Sequence, residues 1–102
     1  MILYDRDGPY IEMHPGEVLD IPFDWTAWLV GESETALATS TWALSAGLEQ
    51  ESALNAGGIT AVLVTVTAAL GAVESAENTI TAGAKKAIRR LRVKIVNRPT
   101  RR

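Results

Sequence analysis

Residues 59–68 constrain the fold most. They read Ile-Thr-Ala-Val-Leu-Val-Thr-Val-Thr-Ala, with Thr60, Val62, Val64 and Val66 on one side of a two-residue period. β-Branched side chains are stiff at χ1 and pack well on a pleated surface, so this segment is expected as a strand. An isolated strand or hairpin is marginal in water, so partners must exist elsewhere in the chain. Leu19, Ile21, Phe23 and Trp25 alternate with Asp20, Pro22, Asp24 and Thr26. Pro22 cannot donate to a ladder, which places that strand at an edge or a bulge. Trp28-Leu29-Val30 follows, and Gly31-Glu32 reads as a turn. Next, Ala36, Ala38, Ser40 and Trp42 share one phase, and after Ala46-Gly47 so do Leu48, Gln50, Ser52 and Leu54. Asn55-Ala56-Gly57-Gly58 is the clearest turn signal, and Gly71 and Ala82-Gly83-Ala84 are further breaks. Between those breaks Ala76, Asn78 and Ile80 are in phase.

The last element has two readings. Arg89, Leu91, Val93 and Ile95 alternate with Ile88, Arg90, Arg92 and Lys94, as in a strand with three outward cations. Ala84, Ala87, Ile88, Leu91 and Ile95 also fit helical spacing. The β-branched Arg-Val-Lys-Ile-Val run favours the strand. Six or seven short strands with regular turn signals predict an all-β sandwich or a small barrel. At 102 residues the chain has room for one domain. Residues 1–16, with Gly8-Pro9 and Pro15-Gly16, read as an irregular lead-in, residues 17–97 as the β domain, and residues 98–102 as a basic tail.

Net charge conceals a polarity. The formal total is −2, but nine of the ten Lys and Arg residues lie at or beyond Lys85, and all twelve carboxylates lie at or before Glu77. Residues 1–84 therefore sum to −11 and residues 85–102 to +9. The cations Lys85, Lys86, Arg89, Arg90, Arg92, Lys94, Arg98, Arg101 and Arg102 could contact phosphates, which makes a nucleic-acid-binding module the alternative reading. No aromatic residue lies among them, so a stacking platform for single strands is missing. The favoured reading is complementarity to carboxylates, either in this molecule (Glu49, Glu51, Glu74, Glu77) or in an adjacent subunit.

Signals for chemistry are sparse. There is no cysteine, hence no disulfide or thiolate site. The single histidine, His14, sits beside Pro15 and reads as a surface residue. Asp5-Arg6-Asp7-Gly8 begins like a calcium loop but lacks the third ligand and the distal Glu, so a solvated turn is expected. Asp20 and Asp24 should face water. Gly57-Gly58 lacks the Lys-Ser/Thr pair of a phosphate loop and suits a hairpin. No catalytic residue, cofactor or metal site is expected. No secretory signal pattern is visible, and no apolar run reaches the ~18 residues of a membrane helix, so no membrane partner is expected. Trp25 and Trp42 are in phase with the core, whereas Trp28 is three residues from Trp25 and falls on the opposite side of a strand.

Residues 18–96 resemble a family of small phage and prophage virion proteins, the immunoglobulin-like fiber–tail adaptors. The elements that carry the resemblance are Phe23-Asp24-Trp25, Trp28-Leu29, Gly31-Glu32, Ser40-Thr41-Trp42 and Gly47-Leu48. They continue with the Val/Thr-rich residues 62–67, Gly71, Asn78-Thr79-Ile80-Thr81 and Arg90-Leu91-Arg92-Val93. The chain departs from the family pattern in its Ala-rich residues 70–76 and in Ala84-Lys85-Lys86-Ala87. The resemblance implies an immunoglobulin-like sandwich of about seven strands. It also implies a structural role in the virion after synthesis in the bacterial cytoplasm, with other tail, fiber or neck subunits, or further copies of the chain, as partners. On that expectation the contact residues are Trp28, Arg89, Arg90, Arg92 and Lys94, and nucleic acid is not the expected partner.

Overall fold

The computed structural model describes residues 2–100; Arg101 and Arg102, which complete the expected basic tail, lie outside the described residues. Eight strands and one short helix follow in the order β1 (Leu3–Asp5), β2 (Gly8–Met13), β3 (Val18–Asp24), α1 (Thr26–Gly31), β4 (Thr39–Leu44), β5 (Leu48–Ala56), β6 (Ile59–Val66), β7 (Val73–Ala82) and β8 (Lys85–Ile95). They form a five-stranded sheet, β1-β2-β8-β7-β4, packed on a three-stranded sheet, β3-β6-β5. Every pairing is antiparallel except β2 with β8. An immunoglobulin constant domain sets a B-E-D strand triplet against C-F-G. Here β3-β6-β5 and β4-β7-β8 repeat that order, and β2 lies alongside the last strand. The expected all-β, immunoglobulin-like sandwich is the observed fold.

The inner faces follow the alternation. Ile21, Phe23, Val62, Val64 and Val66 from the small sheet meet Met13, Ala76, Ile80, Leu91, Val93 and Ile95 from the large one. Trp25 joins the two layers. Its Nε1 donates to Thr60 Oγ1 at 3.1 Å on β6 and to Asn78 Oδ1 at 3.0 Å on β7. Thr60 Oγ1 donates to Asn78 Oδ1 at 2.6 Å, while Asn78 Nδ2 donates to Ser40 Oγ and the Thr41 carbonyl on β4. Thr60 and Asn78 are fully buried, so these bonds replace water for both side chains.

Four expectations are corrected. Residues 1–16 are not an irregular lead-in: β1 and β2 form a hairpin, and β2 adds to β8 in the register Tyr10↔Arg92 to Met13↔Ile95. Short, Gly- and Pro-containing segments carry weak local signals, and here a neighbouring strand supplies the order. Residues 26–31 form a helical turn, with Asp24 Oδ1 accepting the Thr26 N–H at 2.9 Å at its start. Three residues oppose one another on a strand but are neighbours on a helix, so Trp28 returns to Trp25, centroids 5.8 Å apart and edge to face. The strand expected over residues 35–42 begins only at Thr39; Ala36 and Ala38 belong to the loop after α1, where Ser33 has φ +59°. Leu48, Gln50, Ser52 and Leu54 do not share a face, because a bulge between Gln50 and Ser52 moves the last two to the other side.

The last element is a strand throughout, which settles the choice against a helix. Gly57 and Gly58 close the β5–β6 hairpin with φ +59° and +89°, as a type I′ turn requires.

Candidate docking surfaces

Strand register sorts the surface charges onto two outer faces. On the five-stranded sheet, Lys86, Arg90, Arg92 and Lys94 of β8 point outward. Pairing places Tyr10 beside Arg92, Glu12 beside Lys94 and Glu77 opposite Arg90. Asp5 reaches the same face from β1. Its Oδ1 accepts Arg92 Nη2 at 2.5 Å, and its Oδ2 accepts Arg92 Nη1 at 3.2 Å and Lys94 Nζ at 2.8 Å. Arg92 Nη2 also donates to the Gly8 carbonyl, which pins the β1–β2 hairpin to β8. Lys94 Nζ lies 4.0 Å from the centre of the Tyr10 ring, a cation–π contact. The Arg92 and Lys94 side chains hold the Asp5 carboxyl well below the usual carboxylate range, and Asp5 in turn raises both cations.

The expected contact residues therefore do not form one patch. Arg92 and Lys94 are bound to Asp5 within the chain. Arg90 bonds Glu77 at 2.8 Å and keeps 65% of its side chain exposed. Arg89 lies on the inward phase of β8, where its guanidinium sits 4.1 Å from the Trp25 ring centre and donates to the Asp24 carbonyl. Trp28, half-buried, belongs to that same cluster. Lys85 Nζ donates to the Glu32 carbonyl at the end of α1.

Of the carboxylates expected to answer these cations, only Glu77 does so among the described residues. Glu74 turns into the β4–β5 connection, accepting the Ser45 hydroxyl at 2.8 Å and the Gly47 N–H at 2.7 Å. Glu49 and Glu51 lie on the other sheet. The principal partner, Asp5, was missed because it lies 87 residues from Arg92 and the parallel β2–β8 register is not written locally. The charge split was the available signal: a chain with acids early and bases late is neutralised when its ends pair.

The outer face of the three-stranded sheet differs. Across β3, β6 and β5 its rows are Asp20–Leu63–Ser52, Pro22–Ala61–Leu54 and Asp24–Ile59–Ala56. No Lys or Arg occurs on these three strands. The carboxylates Asp20 and Asp24 of β3 and Glu49 and Glu51 of β5 share this sheet with exposed apolar side chains, among which Leu54 is 57% and Ile59 36% exposed. Asp24 Oδ1 accepts the Thr26 N–H just before α1, and the Thr26 hydroxyl and N–H lower its carboxyl. Glu51 accepts the Thr65 hydroxyl at 3.0 Å.

His14 is exposed, its Nδ1 2.8 Å from the Pro15 carbonyl. Asp5 and Asp7 form the expected turn, with Asp7 N–H donating to Asp5 Oδ1. Among the described residues no three His, Asp or Glu side chains converge as a metal site would require. Among them too, no helix is long and apolar enough to cross a membrane. No protein-family model matches the chain, and no curated protein matches it significantly.

Proposed function

We propose that this protein is a structural docking module of a phage or prophage particle, an adaptor that joins tail-associated subunits. The observation that carries the reading is the outer face of the three-stranded sheet, where apolar side chains are exposed among carboxylates of β3 and β5 and the three strands carry no Lys or Arg. Exposed apolar area of this kind rimmed by polar groups is the usual mark of a protein contact. The sequence resemblance to virion adaptors supplies the setting, and the sandwich supplies a rigid body on which such a face keeps its shape. Phosphate binding through β8 is the weaker reading. Arg92 and Lys94 already hold the Asp5 carboxylate of their own chain, and releasing them would offset the gain from a phosphate.

Mass spectrometry of purified particles from the producing cell tests the role. The chain should be recovered in a fixed ratio to the tail proteins. Its absence from intact particles, while present in the cell, would overturn the reading.

A further inference from the structure

We infer that the acidic, apolar face of the three-stranded sheet docks onto the Lys86–Ile88–Arg90 end of the outer face of the five-stranded sheet of a second copy, so that copies join head to tail. The inference deepens the docking role just proposed by naming its partner, and it stands on the two faces of the fold. The acidic face cannot meet its own twin well, because that would set Asp20, Asp24, Glu49 and Glu51 against the same four carboxylates, and like charges across an interface are repelled. What it lacks is on the opposite side of the molecule. At the β7–β8 hairpin end, Lys86 makes no ion pair among the described residues, Arg90 keeps 65% of its side chain exposed beside its partner Glu77, and Ile88 between them is 55% exposed. Val73, 58% exposed, shares that outer face further along β7. One face thus presents carboxylates around Leu54 and Ile59, and the other presents cations around Ile88. The other half of β8 is not part of the contact, because Asp5 occupies Arg92 and Lys94. Two different faces make a heterologous contact, which repeats around an axis as a ring or continues as a filament.

Light scattering coupled to size exclusion, with sedimentation to high concentration, tests this on the full chain. The wild type should associate at about 0.01 M salt and weaken tenfold or more towards 1 M, as screened charge pairs do. Asp20→Lys/Glu49→Lys disables one face and Lys86→Gln/Arg90→Gln the other. Each variant alone should be monomeric while keeping the wild-type circular dichroism and a cooperative melt. Mixed in equal amounts, the two retain one intact face each and should form a dimer that grows no further. A wild-type chain that stays monomeric to about 1 mM, the weak end of measurable association, would overturn the inference. So would a mixture of the variants that stays monomeric, or association indifferent to salt. A chain recovered in particles but monomeric in solution removes the copy-to-copy contact and leaves the docking role standing. A chain that associates in this way but is absent from particles removes only the virion role.

Discussion

On the five-stranded sheet, four outward cations share their face with Asp5, Glu12 and Glu77; the three strands of the other sheet carry four outward carboxylates and no Lys or Arg. The contrast follows from topology. The parallel β2–β8 pair brings the two ends of the chain side by side, so the early acids and late bases meet in one sheet. The middle of the chain, from β3 to β6 without β4, forms the other sheet and has only acids to offer. Net charge divided by sequence position therefore misstates the charge of the folded surface. Arg90, Arg92 and Lys94 of β8 are paired with carboxylates, whereas the acids of the three-stranded sheet have no cation on their own strands.

The contrast presumes one rigid body, and the strongest way to break it is at Asn78. Asn78→Leu keeps the volume but leaves Trp25 Nε1 with one acceptor fewer and removes both donors to β4. A loss of about 3 kcal/mol is expected from chemical denaturation, since groups in this buried network lose their partners. Next comes Asp5→Asn, which should lower the thermal midpoint by removing the carboxylate that Arg92 and Lys94 share. Because the Asp5 carboxyl is lowered in the fold, its contribution is present above the unfolded-state value of about 3.9 and is lost as pH falls below it towards the folded value. Acid melts of the wild type should therefore fall away below about pH 4, and Asp5→Asn should flatten that limb. Arg90→Ala removes an exposed pair and should cost at most about 1 kcal/mol. The smallest effect belongs to the other face: Asp20→Asn should change stability by no more than about 0.5 kcal/mol in the same melts. A loss at Asp20 as large as that at Asp5 would erase the distinction between the faces.

The parts legible in sequence are those where pattern and environment agree. β6, β7 and the end of β8 each keep one buried phase, and Thr60, Asn78 and Val93 fall where alternation puts them. The misses share a cause, which is order supplied from a distance. β1 and β2 take their conformation from β8, and no local periodicity announces strands of three and six residues. At α1 a signal was present, since Trp25, Trp28 and Leu29 have helical spacing; the preceding two-residue alternation overrode it. The bulge in β5 has no such marker, and it alone decides whether Leu54 points in or out. The proposed docking face was illegible for the same reason. Asp20, Leu63 and Leu54 become neighbours only through the β3-β6-β5 register.

A carbon-13 carboxylate titration by NMR tests most directly whether β8 is neutralised from within the chain. The Asp5 carboxyl should titrate well below the ordinary range, held down by Arg92 and Lys94. It should return towards about 3.9 when both cations are replaced by Gln. An Asp5 that titrates near that ordinary value in the wild type would contradict the account and return Arg92 and Lys94 to the surface as free cations.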